Sequence, residues 1–288
     1  MRRLLSYFLT LSLAACSAAQ PVHARPAMWK LSDPDTTIYL FGTVHVLPQG
    51  ADWRTPQFDA AVQNAQELVL EIADQGDKTR LAEIYRKLAF SPGLPPVLDR
   101  VPPEKRAQLT AAMEKSGLKP TQLDAMETWA VAVTLGASMY AQMGASADQG
   151  VENQLRTSFA GRPIEGLETT EQQLGYFDAM PEETQRKLLV SMLDDMQTAA
   201  ADFRKMLAAW TAGDTRAIAN TFDDELKKAP EIAHVLIDER NAHWVDWLKQ
   251  RLDTPGTVMV AVGAGHLAGK GSVIDLLKQQ GLHVERVQ

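Results

Sequence analysis

Two histidines stand where chemistry would need them. The chain carries Gly42-Thr43-Val44-His45 near one end and Gly263-Ala264-Gly265-His266 near the other, each after a β-branched and apolar run. Carboxylates close two other apolar runs: Glu71 and Asp74 at the end of Glu67-Leu68-Val69-Leu70-Glu71-Ile72, and Glu168 after Ile164-Glu165-Gly166-Leu167. Two neutral imidazoles with one or more carboxylates suit zinc, manganese or iron. A site with two or three protein ligands keeps room for water and brings its pKa toward neutrality. A carboxylate off the metal can serve as general base; Glu71 and Glu168 both qualify by position, and the residues alone leave the roles undivided. The metal-free alternative is one histidine working as acid and base beside an orienting carboxylate. A single strand-end histidine is more often structural than ligating, so the matched pair is what points to a shared site.

Other motifs are absent or carry less. There is no Gly-x-Ser-x-Gly elbow and no His-Glu-x-x-His helix. Cys16, the one cysteine, lies in the N-terminal segment, which closes thiol chemistry and internal disulfides. His234 and His243 are nine residues apart on a helical stretch, on opposite faces, and read as surface or capping residues. His283 reads as exposed. Arg240, beside Asn241 and ahead of Trp244, either pairs with an acid of the sheet or binds a substrate carboxylate bidentately.

Pattern also supplies the scaffold for these groups. Each Gly-x-x-His unit reads as a buried strand that ends at a glycine, placing its imidazole past the strand's carboxyl end, where open α/β sheets keep their ligands. Trp29-Lys30-Leu31-Ser32 is a first short strand. Thr55-Pro56 is an N-cap with proline at the first helical position, followed by Phe58, Ala61, Val62 and Ala65 at helical spacing. With the strand Glu67–Ile72 this makes a βαβ unit, whose strands are expected to be parallel and adjacent. From Lys78 to about Ala160 helical patterns replace strands, and Ala125 to Met143 is apolar enough to be largely buried. Arg162 to Glu168 returns to a strand, and Thr169-Thr170-Glu171 opens a capped helix. Helices are expected from Pro181 to Trp210 and on to Ala229, then one over Glu231–Leu252. Ser272–Gln280 is a last helix capped by Gly281, before a final strand in Leu282–Val287. The fold class expected is α/β: a central, mainly parallel sheet with a large helical insertion, about 78–160, forming a cap over the sheet edge.

The chain has 288 residues, 45% hydrophobic and 23% charged, with a net charge of −7 and no basic run beyond its start. That balance argues against a nucleic-acid partner. Met1-Arg2-Arg3, the apolar Leu4–Ala15 and Leu13-Ala14-Ala15-Cys16 read as a signal peptide with a lipobox, over 1–16, followed by a tether over 17–27. The protein is then an exported, periplasm-facing lipoprotein held to the membrane by an N-terminal lipid; Ser17 after the cysteine leans toward the outer membrane. The alternative is a soluble periplasmic protein cleaved after Ala24.

Taken together, these residues resemble the TraB/GumN family, whose animal relatives are the Tiki proteases. The resemblance rests on Trp29-Lys30 with Thr37 to Pro48, on Glu67 to Ile72, and on Gly166-Leu167-Glu168-Thr169 with Glu171-Gln172. It continues through Glu239-Arg240-Asn241 with Trp244 and ends on Val262 to Leu267, so it spans about 28–288. It implies an α/β core related to erythromycin-esterase and ChaN-like proteins. By resemblance to the Tiki branch, it implies a metal-dependent peptidase in which His45, His266 and Glu71 hold a divalent ion (manganese, cobalt or zinc). Glu168 and Arg240 are supporting candidates. Asp148 falls where many members carry an acid, although the preceding residues are Ser146-Ala147 in place of glycine context. The substrate implied is a peptide or small molecule. The alternative is a non-catalytic lipoprotein that binds haem, iron or a peptide in the same cleft, as ChaN-like relatives bind haem iron.

Overall fold

Strands covered on both faces need apolar residues at successive positions, and three segments supply them: Thr36–Thr43, Glu67–Ile72 and Gly256–Gly263. The computed structural model describes residues 24–74, 78–226 and 230–288. The expected signal segment, with Cys16, lies outside the described residues, as does most of the expected tether. The strands are β1 (Met28–Ser32), β2 (Thr36–Thr43), β3 (Leu47–Pro48), β4 (Glu67–Ile72), β5 (Ala145–Ser146), β6 (Ile164–Glu168), β7 (Gly256–Gly263) and β8 (Val284–Arg286). Six form one sheet in the order β6-β4-β7-β2-β1-β8, and β3 pairs with β5 separately. The strands β6, β4, β7 and β2 are mutually parallel, while β1 and β8 close the far side antiparallel. The α/β class with a mainly parallel sheet and a helical cap is the one observed.

One expectation of topology is corrected. β2 and β4 are parallel but not adjacent, because β7 lies between them, with Thr43 opposite Gly263 and Leu70 opposite Ala261. Sequential strands neighbour one another in only about two-thirds of cases. Here the intervening strand arrives late in the chain.

The helices are α1 (Pro56–Asn64), α2 (Lys78–Leu88), α3 (Arg106–Lys115), α4 (Pro120–Leu123), α5 (Thr128–Gln142), α6 (Val151–Ser158) and α7 (Thr170–Asp178). After them come α8 (Glu182–Asp195), α9 (Ala199–Thr211), α10 (Thr215–Leu226), α11 (Pro230–Ala233), α12 (Glu239–Leu252) and α13 (Val273–Gln279). Their ends are set as the sequence suggests: the Thr55 and Ser272 hydroxyls accept from the first turns of α1 and α13, and Thr169 and Gln172 form a reciprocal capping box on α7. The stretch expected as one helix from Glu231 instead opens into a π-helical turn at His234–Asp238, just before α12. None of the described helices is long and apolar enough to cross a membrane.

Alternation along each strand divides the core. Phe41, Leu68, Leu70, Met259 and Ala261 pack beneath α1, α6, α9 and α10, while Ile38, Leu40, Val69, Val258, Val260 and Val262 face α12 and α13. On the first face Phe41, Trp53, Phe58 and Trp210 interlock, with Phe41 and Phe58 centroids 4.5 Å apart. A third core joins α3, α5 and α8 around Trp129, Leu109 and Leu189. In α5 only the first half is buried: Trp129 to Ala132 and Leu135 are inside, but Val133 is exposed.

Candidate active site

The register of the sheet brings the carboxyl ends of β2, β7, β4 and β6 to one edge, since Thr43 faces Gly263 and Ile72 faces Glu168. His45 follows β2, and His266 sits in the 3-10 turn Ala264–Leu267 that follows β7. Glu71 is the penultimate residue of β4, and Glu168 is the last of β6. The expected gathering of His45, His266, Glu71 and Glu168 is therefore what the fold produces. A Cβ added at Gly263 would lie 3.1 Å from Glu71 Oε1, 3.4 Å from His45 Nε2 and 3.6 Å from His266 Cδ2. The bare Cα of Gly263 is thus the point around which the three side chains converge. Gly42 serves the backbone, because a Cβ there would come within 3.0 Å of the Ala264 Cα.

Each imidazole is oriented through its Nδ1. His45 Nδ1 lies 2.6 Å from Glu152 Oε1; a carboxylate only accepts, so Nδ1 carries the proton and Nε2 faces the cavity. His266 Nδ1 lies 2.7 Å from Asn241 Oδ1, whose amide is fixed in turn by Nδ2 donating to the Gly271 carbonyl at 2.9 Å. Arg240 Nη1 is 3.2 Å from His266 Nε2 and has only protons to give, so Nε2 is an acceptor and Nδ1 again carries the hydrogen. Fixing of Nδ1 by an outer acceptor is the arrangement found behind metal-ligating histidines.

Arg240 holds the carboxylates together. Its Nη2 donates to Glu71 Oε2 at 2.7 Å, and its Nε donates to Glu168 Oε1 at 2.8 Å and Oε2 at 3.1 Å. Trp244 lies against the guanidinium, 4.7 Å from its ring centre, and donates Nε1 to Glu168 Oε1 at 3.0 Å. With only 5% of its surface exposed and every nitrogen engaged, Arg240 belongs to the sheet's acids and does not reach out for a substrate carboxylate. Two carboxylates share one guanidinium, which leaves a negative charge uncompensated beside Gly263.

The protonation states differ sharply. Burial opposes charge on His45, but the Glu152 charge and hydrogen bond, with Glu71 behind them, push it up to about 9. Its outer edge is in solvent, 63% of the side chain being exposed. His266, 6% exposed, is pushed down to about 4 by burial and by the Arg240 and His45 charges, against the pull of Glu71. Burial would raise Glu71, yet His266, His45, Arg240 and the Gly263 N–H, which donates to Oε1 at 2.7 Å, bring it down to about 2. Glu152 is likewise held below the usual carboxylate range: burial opposes its charge, but His45 and the Thr43 hydroxyl outweigh burial.

A cavity of about 170 Å³ opens at this edge, walled by His45, Glu71, Ile72, Glu152, Asn153 and Gln173. Glu71 alone of the sheet's acids faces it; Glu168 stands behind Arg240. Asp74 is turned away, accepting from the Thr170 hydroxyl at 2.6 Å at the start of α7. Asp148 is exposed, and the acid from the helical region is Glu152 on α6. The same helix sends Arg156 to the carbonyls of Ile72 at 2.6 Å and Ala73 at 2.8 Å, which pins the backbone just past Glu71. His234, His243 and His283 are all exposed, as expected.

Glu152, Gln173 and the orienting part of Asn241 are the functional residues that sequence reasoning missed. Glu152 sits in the first turn of α6 between the buried Val151 and the buried Leu155, a signal that marks a helix but not which acid turns inward.

For a divalent ion, Glu71 Oε1 and His45 Nε2 face the space over Gly263, the imidazole as a donor once the ion displaces the Nε2 proton that it carries near neutral pH, and the uncompensated charge favours a cation. His266 Nε2 is taken by Arg240, and among the described residues no group of three or more histidines and acids is spaced to hold a metal. The residues fit the ion as a two-donor site with His266 beside it.

An α/β sheet whose parallel strands deliver two Gly-x-x-His units and an arginine-bridged pair of glutamates to one edge defines the class. The TraB/PrgY/gumN family profile matches residues 27–286, and the chain belongs to that family. It is similar to the uncharacterized protein YbaP of Escherichia coli (strain K12), with 25% identity over 246 residues, covering 83% of this chain and 87% of YbaP. The YbaP of Shigella flexneri gives the same figures. No solved structure matches the chain.

Proposed function

We propose that the protein is a metal-dependent hydrolase of the cell envelope, acting on peptides, and that Cys16 carries a lipid anchor. The observation that carries the proposal is the convergence of His45 Nε2, Glu71 Oε1 and His266 on the bare Cα of Gly263, each imidazole fixed through Nδ1. The resemblance to Tiki proteases supports the peptide as substrate. The lipobox-like segment supports export to a periplasm-facing membrane surface, with the outer membrane favoured by Ser17.

His45 and Glu71 would hold a divalent ion (manganese, cobalt or zinc), and His266 would join them as third donor only with its Nε2 released from Arg240. Bound there, the ion supplies polarisation of a substrate carbonyl and acidification of water. The chain's own groups do the rest. Glu152 holds a hydrogen on His45 Nδ1 and so keeps Nε2 turned inward. Glu71 and Glu152, both held low, are anions at neutral pH and accept hydrogen bonds from water or substrate at the cavity wall. Arg240, backed by Glu168 and Trp244, fixes Glu71 and His266 relative to each other and acts as a positioning residue. A haem ligand is disfavoured by size, because small-molecule sites usually enclose about 300–1,000 Å³.

The test is metal content of the full chain after incubation with each divalent ion, alongside His45→Ala, His266→Ala and Gly263→Ala. Near-stoichiometric metal in the parent, lost in all three variants, is expected, with peptide cleavage following the same order. Metal bound equally by the parent and the three variants, or bound by none, would overturn the proposal.

A further inference from the structure

A second hollow, of about 390 Å³, lies beside the catalytic cavity. Leu81, Ala82 and Tyr85 come to it from one face of α2, and Thr170, Gln173 and Leu174 come from the facing side of α7. Both sets show the i, i+4 spacing of a single helix face. Ile72, at the end of β4, completes the lining. Ile72 and Gln173 also wall the catalytic cavity, so the two spaces are neighbours across those side chains.

The chemistry of the lining is apolar, with no charged residue in it. Its hydroxyls already have partners: that of Tyr85 is 3.1 Å from Thr134 Oγ1, and that of Thr170 donates to Asp74 at 2.6 Å. Gln173 Nε2 donates to Glu71 Oε2 at 3.1 Å. Because that carboxylate can only accept, the amide orientation is set, and Gln173 Oε1 is left with no hydrogen-bond partner among the described residues. An acceptor at the wall between the spaces suits a peptide N–H. The catalytic cavity, at about 170 Å³, is too small to enclose a peptide by itself. A substrate must extend beyond it.

We infer that the hollow between α2 and α7 is the subsite for an apolar side chain, leucine- or phenylalanine-sized, flanking the scissile bond of the peptide. Gln173 is then the specificity-determining residue that joins subsite to catalytic cavity. This inference rests on the hydrolytic reading for its place in a reaction, but not for binding itself.

The test separates the two. Blocked tripeptides, N-acetyl-Ala-X-Ala-amide with X as Leu, Phe, Asp or Lys, are titrated by calorimetry into the full chain in detergent with EDTA. The same titrations are made on Ala82→Trp, which fills the hollow from an exposed helix position, and Ala82→Glu, which charges it. A matched peptide set is then assayed for cleavage with metal present. The expected result is Leu and Phe peptides bound about tenfold more tightly than Asp peptides by the parent, with the preference lost in both variants. Such binding without cleavage under any metal would keep the subsite and overturn the hydrolase. Cleavage without an apolar preference would do the reverse. An apolar preference that survives both substitutions, or no peptide bound at all, overturns the subsite.

Discussion

The two Gly-x-x-His units are one backbone device placed in two settings. Both end neighbouring parallel strands, and both imidazoles carry a hydrogen on Nδ1 that an oxygen acceptor holds. What differs is the partner that the helices bring. α6 offers His45 a carboxylate at the solvent edge, and the ring is held as a cation near neutral pH. α12 offers His266 a neutral amide and a guanidinium in the interior, and that ring stays neutral. The strand motif fixes where an imidazole stands; the helix behind it decides its charge.

The largest way to break this contrast is Arg240→Met, which strands Glu71 and Glu168 as buried unpaired carboxylates. Removing one partner of a buried ion pair costs about 3–5 kcal/mol. Urea unfolding should show a loss of that size, and a loss under about 1 kcal/mol would mean the acids do not depend on Arg240. Next is Asn241→Asp, which gives His266 the kind of neighbour His45 has. Losing the amide bond to the Gly271 carbonyl costs about 1–3 kcal/mol, and the His266 proton resonances should titrate above the parent's value of about 4. An unmoved His266 titration would break the rule that the partner sets the charge.

Acidity separates the two units without mutation. In EDTA, His266 has a folded pKa of about 4 against an ordinary 6.5, so its contribution to stability is full above 6.5 and is lost as pH falls toward 4. Glu71 acts in the same direction from 4.5 down to about 2. His45, raised to about 9, does the opposite: its contribution is full below 6.5 and is lost as pH rises through 9. Melting temperature against pH should flatten between 6.5 and 4 in His266→Asn and between 6.5 and 9 in His45→Asn. Exchanged windows would invert the comparison. The smallest effect is that of Glu152→Gln, which should let His45 fall from about 9 toward 6.5 by NMR titration while leaving His266 unchanged.

The strands and helices were legible because apolar runs, turn residues and caps agree at every level; Thr55, Ser272 and Gly281 mark helix ends as the sequence implies. The convergence of His45, Glu71, Glu168 and His266 was legible too, since parallel strands share an exit edge. Two things were not. The insertion of β7 between β2 and β4 is a long-range pairing that no local pattern encodes. The outer partners come from helices whose rotation is set by packing: Glu152, not Asp148, turns inward because Val151, Leu155 and Phe159 seat α6 on the sheet. The sequence leaves Arg240 two roles, and its burial beside two acids selects one.

The π-helical turn at His234–Asp238 has a consequence for tolerated chain length. A π turn holds one residue more than an α turn, so it absorbs an extra residue without rotating the helix beyond it. Removing one residue within 234–238 would restore a regular helix and leave Arg240, Asn241 and Trp244 on the same face. Removing one inside α12 would instead swing every later residue of that helix by roughly 100°. Ahead of Arg240, then, the gene can lose a codon where a few positions later it cannot.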